Sequence, residues 1–257
     1  MKKYCSVGLL TLIACIVGCN PPVDANNAAK NSDKGATNGA LHDSYSTSAN
    51  NAPGATNTPK DESKPKGMDL ALVPADIKND AFEYYGLGRV EPIKMSMEQD
   101  GTSTPATQTV RLTKVGKSDA EFTVSNDGGF SKIGEVVLKL DKQGIRVVTM
   151  NGQKADENTF ELPSGLVKGK SWATKMELGG SVFTGTNKVT GTESITTPVG
   201  TYKDALIVVS TASGVQNGQK FQSTIKLWLV KGRGQVRAEV NNVSGKSTQK
   251  ITVLESK

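Results

Sequence analysis

Few residues in this 257-residue chain are of the types that chemistry usually needs. His42 is the only histidine, and Cys5, Cys15 and Cys19 are the only cysteines. All four lie in the first 42 residues, so the rest of the chain can build no His-based triad, His-ligated zinc site, thiolate site or disulfide. Glu193 and Asp204, flanking the corner Thr197-Pro198-Val199-Gly200, come nearest to an acid–base carboxylate pair. Such a pair works only across a cleft at a defined separation, and a polar surface explains both residues more simply. Gly165-Leu166-Val167-Lys168-Gly169-Lys170-Ser171 has the composition of a phosphate-binding loop, but its glycines are one residue too close. The following Trp172 to Leu178 alternates like a strand and leaves no helix N-terminus to hold a phosphate, so the segment reads as a turn leading into a strand. Arg233, between Gly232 and Gly234, offers a cation to an anionic ligand, although a solvated turn arginine is the plainer reading. Trp172 and Trp228 suit a pocket wall, or better, in a chain poor in aromatics, the core. No catalytic residue, cofactor site or metal site emerges.

The cysteines report on processing instead. Lys2 and Lys3 precede an apolar stretch from Val7 to Val17, which is short for a membrane span and correctly built for an export signal. It ends Ile16-Val17-Gly18-Cys19, which matches a bacterial lipobox and predicts cleavage before a lipidated Cys19. Leu12-Ile13-Ala14-Cys15 also fits, but it shortens the apolar region and strands Ile16 and Val17 after the cut. A single acyl chain binds a membrane marginally, at about 0.8 kcal/mol per buried CH₂, whereas the two or three chains of a lipoprotein hold it stably. From Asn20 to Gly67 the chain is polar, with almost no large apolar side chain, and predicts a disordered tether. As a flexible coil it would span about 40 Å end to end. The expected organisation is a signal peptide over 1–18, a lipidated cysteine and tether over 19–67, and one β domain over 68–257.

The net charge of +6 raises the question of nucleic acid. Two of those charges are Lys2 and Lys3, the tether is balanced, and the rest alternates basic with acidic residues with no run that tracks a phosphate backbone. Solvated strand faces account for it, and no nucleic-acid partner is expected.

Past a short helix expected around Val73 to Asn79 and capped by Asp76, the pattern becomes alternating apolar runs broken by turns. Val110 and Leu112, then Phe122 and Val124, then Val136, Leu138 and Leu140 each mark one face of a strand. Turn signals stand at Asp127-Gly128-Gly129, Lys142-Gln143-Gly144, Asn151-Gly152, Gly179-Gly180, Asn217-Gly218 and Ser244-Gly245. About ten to twelve strands follow, in an all-β fold: a large curved antiparallel meander, open or partly closed as a barrel. The corner at Pro198, with Gly200 tolerating a positive φ and Tyr202 leading out, introduces Leu206-Ile207-Val208-Val209, a run apolar on both faces.

Leu162-Pro163, Leu166 to Trp172, Glu193 to Leu206 and Trp228 to Arg237 come in an order that resembles the TapB-like family, bacterial exported and lipoprotein domains of unknown function. In that pattern a Pro-x-Gly-aromatic corner precedes an apolar strand, and a Gly-x-Gly turn follows a strand ending in an aromatic. The likeness is strongest over 156–256. Val230-Lys231 stands here where Ala-Pro is usual, with Gly232 and Gly234 in place. The resemblance implies an envelope β domain, with Pro198, Gly200, Tyr202, Gly232 and Gly234 as its structural corners, and supplies no catalytic residues. The resulting expectation is a non-enzymatic envelope lipoprotein, on the periplasmic or cell-surface side, that binds an apolar or amphiphilic ligand on a curved sheet. The alternative is a structural or assembly module docking an envelope protein, and the lesser one a hydrolase built from Ser, Asp, Glu and Lys.

Overall fold

The computed structural model describes residues 69–156, 158–178, 181–216 and 219–257; Cys19, His42 and the tether lie outside them. Two 3₁₀ turns, Leu70–Leu72 and Ala75–Ile77, lead into a short helix, α1 (Asp80–Tyr85). Its cap is Asn79 rather than Asp76: the Asn79 side chain accepts from the Ala81 and Phe82 N–H groups. Pro74 starts only a 3₁₀ turn, and Asp76 pairs instead with Lys142.

The rest is strand: β1 (Ile93–Gln99), β2 (Thr102–Val115), β3 (Asp119–Gly128), β4 (Val136–Asp141), β5 (Gly144–Met150), β6 (Gln153–Lys154) and β7 (Phe160–Pro163), then β8 (Ser171–Leu178), β9 (Ser181–Thr197), β10 (Gly200–Gln216), β11 (Gln219–Val230), β12 (Gly234–Ser244) and β13 (Ser247–Glu255). These thirteen, one more than the upper expectation, form a single open antiparallel sheet in the order β6-β5-β4-β3-β2-β1-β13-β12-β11-β10-β9-β8, with β7 also against β5. Two meanders are thus joined along β1 and β13, with Met95 opposite Glu255 and Gln99 opposite Ile251. The β4–β5 and β12–β13 turns fall where expected, whereas Gly128 opens a longer loop that buries Phe130 and Ile133.

The sheet must be curled. Seven strand steps separate β5 from β11, about 34 Å in a flat sheet. Yet α1, a helix of six residues, touches both. Phe82 stacks 6.3 Å from Phe122 of β3, so the helix plugs the concave side. One core fills that side, with Phe122, Leu138 and Leu140 from the first meander and Val208, Ile225 and Leu227 from the second. Each fully buried side chain of this kind contributes roughly 1.5–3 kcal/mol. The apolar run in β10 serves two faces as its pattern requires: Leu206 and Val208 enter this core, while Ile207 joins Ile195, Ala205, Trp228 and Val236 in a smaller cluster on the other face.

The segment once comparable to a phosphate loop is the β7–β8 connection. Asp80 of α1 accepts from the Gly165 and Leu166 N–H groups at 2.9 and 2.6 Å, which ties the connection to the helix. No helix among the described residues is long and apolar enough to cross a membrane.

Candidate functional site

The β9–β10 corner and the β11–β12 turn, distinctive in sequence, meet at one end of the sheet. At the corner, Thr197 pairs with Gly200 across Pro198 and Val199. Its hydroxyl accepts from the Val199 N–H at 3.2 Å and donates to the Gly200 carbonyl at 3.3 Å. Gly200 does not use its tolerance of positive φ and lies outside the left-handed region. Pro198 and Val199 are the central turn residues, neither with positive φ, and Gly200 only receives the chain into β10.

The β11–β12 turn does need its glycines. Gly232 and Gly234 have φ of +71° and +84°. A Cβ on Gly234 would come within 2.6 Å of the Tyr85 carbonyl oxygen, and one on Gly86, the C-cap of α1, within 2.8 Å of the Arg233 backbone. Helix end and turn therefore lie backbone to backbone, and the Gly232 N–H donates to the Glu83 carbonyl at 2.9 Å.

Held this way, Arg233 stays 37% exposed along its side chain but turns its guanidinium to a buried carboxylate. Its Nη2 donates to Oε1 of Glu255 at 2.7 Å, and its guanidinium lies 5.3 Å from the centre of the Tyr202 ring. Arg89 donates to the same carboxylate oxygen and to the Arg233 carbonyl, both at 3.2 Å. The Tyr202 hydroxyl donates to Oε2 at 2.7 Å. Glu255, 2% exposed, thus ends β13 as the shared acceptor of three side chains. Burial opposes its charge, but the bonds from Arg233, Tyr202 and Arg89 outweigh it and hold the carboxyl below its ordinary range. The Tyr202 hydroxyl is pushed up to about 12, first by burial and then by its bond to Glu255.

Beside this cluster opens a groove of about 460 Å³. Thr201, Tyr202, Lys203 and Asp204 form one wall, Val230 and Lys231 the other, and Tyr84 of α1 the end. Lys231 Nζ sits 5.4 Å from the centre of the Tyr84 ring. Tyr202 and Val230 also pack on the smaller apolar cluster, which continues the walls along the convex face. Trp228 is its centre, not a pocket lining. Its indole N–H donates to Glu193, with Lys226 at 4.3 Å and Arg237 at 5.0 Å from its ring. Trp172 belongs to the main core. Glu193 is committed to Trp228 and Lys226, which lower its pKa in that order, while Asp204 faces the groove. The two carboxylates therefore serve different surroundings.

Arg89, Tyr84 and Glu255 carried no signal in sequence, because each acquires its role only from residues more than fifty positions away or from a turn packed against the helix. Among the described residues, no group of three or more His, Cys, Asp or Glu is placed to hold a metal ion.

Residues 147–254 match the DUF3108-like family, described by that designation alone. The span contains Pro198, Gly200, Tyr202, Gly232 and Gly234, the landmarks read above as TapB-like, and stops one residue short of Glu255. No curated protein matches the chain. Two crystal structures share a partial likeness. A protein from Bacteroides fragilis, described as exported and YmcC-like in fold, aligns with a TM-score of 0.43 at 14% identity, over 64% of this chain and 93% of its own. A protein from Parabacteroides distasonis, described as a lipoprotein, aligns with a TM-score of 0.41 at 13% identity, over 63% and 92%.

Proposed function

We propose that this chain is an exported, lipid-anchored envelope protein of the TapB-like kind, and that its β domain works without catalysis as a docking module for an envelope protein. Export and anchoring rest on the signal segment and on Cys19 in its lipobox. The observation that carries the docking role is the surface groove set beside a continuous buried core. Side chains from both meanders and from α1 belong to one buried cluster on the concave side, while the groove beside Tyr84 and Tyr202 opens to the surface. A recess framed by a turn, a helix end and a buried ion cluster suits recognition of a partner, because its walls need little reordering on binding.

One observation favours the second reading, a carrier of an amphiphilic ligand. Ser210 and Ser223 stand on the concave-side register of β10 and β11, opposite Asn187 of β9 and Ala212 of β10 respectively. Asn187 Oδ1, Ser210 Oγ and Ser223 Oγ are buried there without a hydrogen-bond partner among the described residues. Native mass spectrometry of the full chain, released from mild detergent, separates the two. Docking predicts the mass of the lipidated chain alone, and a stoichiometric non-covalent lipid surviving repeated purification would instead support the carrier.

A further inference from the structure

The groove wall from Thr201 to Asp204 is also an unpaired strand edge. β10 pairs with β9 from Gly200 to Tyr202 and again from Ala205, leaving Lys203 and Asp204 as a bulge. Its pairing with β11 begins only at Leu206 opposite Leu229. A strand directs alternate backbone groups to its two neighbours, so Gly200 to Ala205 keeps one side with no strand against it among the described residues. Backbone donors and acceptors along that side are exposed to water, and an added peptide strand can replace that water on either side of the bulge.

The charges select which peptide. Lys203 and Lys231 face the groove against Asp204 alone, and beneath them two guanidiniums share the single carboxylate of Glu255. Counting Glu83, which approaches Gly232, and Asp80, whose charge reaches Tyr84, the wider surroundings balance at four cations and four carboxylates, so the excess of positive charge belongs to the groove lining itself, with Lys203 and Lys231 against Asp204. A lysine on an exposed edge discourages neutral and basic strands, and the same charge attracts an acidic one.

We infer that the groove receives an extended acidic segment of an envelope protein, added as a short strand along Thr201 to Asp204 with its carboxylates meeting Lys203 and Lys231. This rests on the docking reading and names the partner's chemistry. A lipid headgroup would match the lysines but make no use of the strand edge, and the edge together with the lysines is the reason for choosing a peptide.

The test is fluorescence anisotropy with the full chain in detergent micelles and a labelled peptide of about eight alternating Glu and Val residues. Saturable binding is expected, weakened at least about tenfold by Lys203→Glu with Lys231→Glu, by methylation of alternate peptide amides, and by replacing the peptide's Glu with Lys. The methylated peptide leaves the protein unaltered, so the strand-addition claim stands or falls without relying on the variant's folding. Undiminished binding of the methylated or lysine peptide, or no binding of the acidic one, overturns the inference. Binding of phosphatidylglycerol vesicles that displaces the peptide and is lost in the same double variant overturns it in favour of a lipid site. Groove-specific protein crosslinks in cells, with no binding of the acidic peptide, remove the acidic strand and leave docking in place.

Discussion

Glu255 is the residue on which the site depends, and nothing near it in sequence announces the fact. Its partners are Arg89, Tyr202 and Arg233, brought together from three elements. Glu255→Ala would remove the carboxylate that two partly exposed guanidiniums share, and is predicted to destabilise the fold by about 1–3 kcal/mol in urea unfolding. Its pKa is lower folded than unfolded, so its contribution is complete above the ordinary carboxylate value of about 4.3 and is lost as pH falls through the lower folded value. Glu255→Gln should accordingly flatten the acid limb of a plot of stability against pH. Tyr202 shifts the other way: with a folded pKa of about 12, its contribution is whole below about pH 10 and is lost as pH climbs toward that value. Ultraviolet difference titration should show a tyrosine ionising near 12 that disappears in Tyr202→Phe. Legibility at this scale followed locality. Pro198, Tyr202, Gly232 and Gly234 are conspicuous because turn chemistry is written in neighbouring residues, whereas the ion pair of Arg233 is not, because its acceptor lies 22 residues on, at the end of β13.

At the scale of elements, α1 joins the core to the groove. Its Phe82 faces Phe122, its Tyr84 ends the groove, and its C-cap Gly86 presses on the Arg233 backbone. Gly86→Ala combines a φ of +76° with a 2.8 Å approach to backbone that cannot move aside alone. It should cost more than the roughly 1–3 kcal/mol of left-handed strain and weaken the Arg233–Glu255 contact as well. An exposed glycine such as Gly152, with a similar φ of +72° and nothing within 4 Å, should show the strain alone, and paired thermal melts of the two variants would display the difference. Strand alternation made β3, β4 and β10 readable, down to the two-faced Leu206 to Val209. The pairing of β1 with β13 was not readable, since it joins segments about 150 residues apart with no turn between them to set the register. The helix begins later than the sequence suggests because Asp76 and Asn79 are equally good caps in isolation, and in the fold Asp76 lies inside the 3₁₀ turn and pairs with Lys142 while Asn79 caps the helix.

For the whole molecule, the proposed role requires a domain held at a membrane and a groove free to meet a partner. Cys19→Ala should abolish metabolic lipid labelling and move the chain from the membrane to the soluble fraction, while retained labelling would place the anchor at Cys15. The all-β class and the curling of the sheet followed from composition and turn spacing. The choice between an open concavity and a filled one did not, because it depends on whether side chains from two meanders reach each other across the curl. That α1 touches strands of both meanders and shares one buried cluster with them moves the expected site of action from the inner face to the groove. The most direct test is site-specific photo-crosslinking in living cells, with a benzophenone side chain at Thr201 in the groove and, as control, at exposed Thr113 on β2. A discrete protein adduct from Thr201, absent from Thr113 and lost with Lys203→Glu and Lys231→Glu, is the predicted result. Equal adducts at both positions, or none at Thr201, would contradict a docking groove.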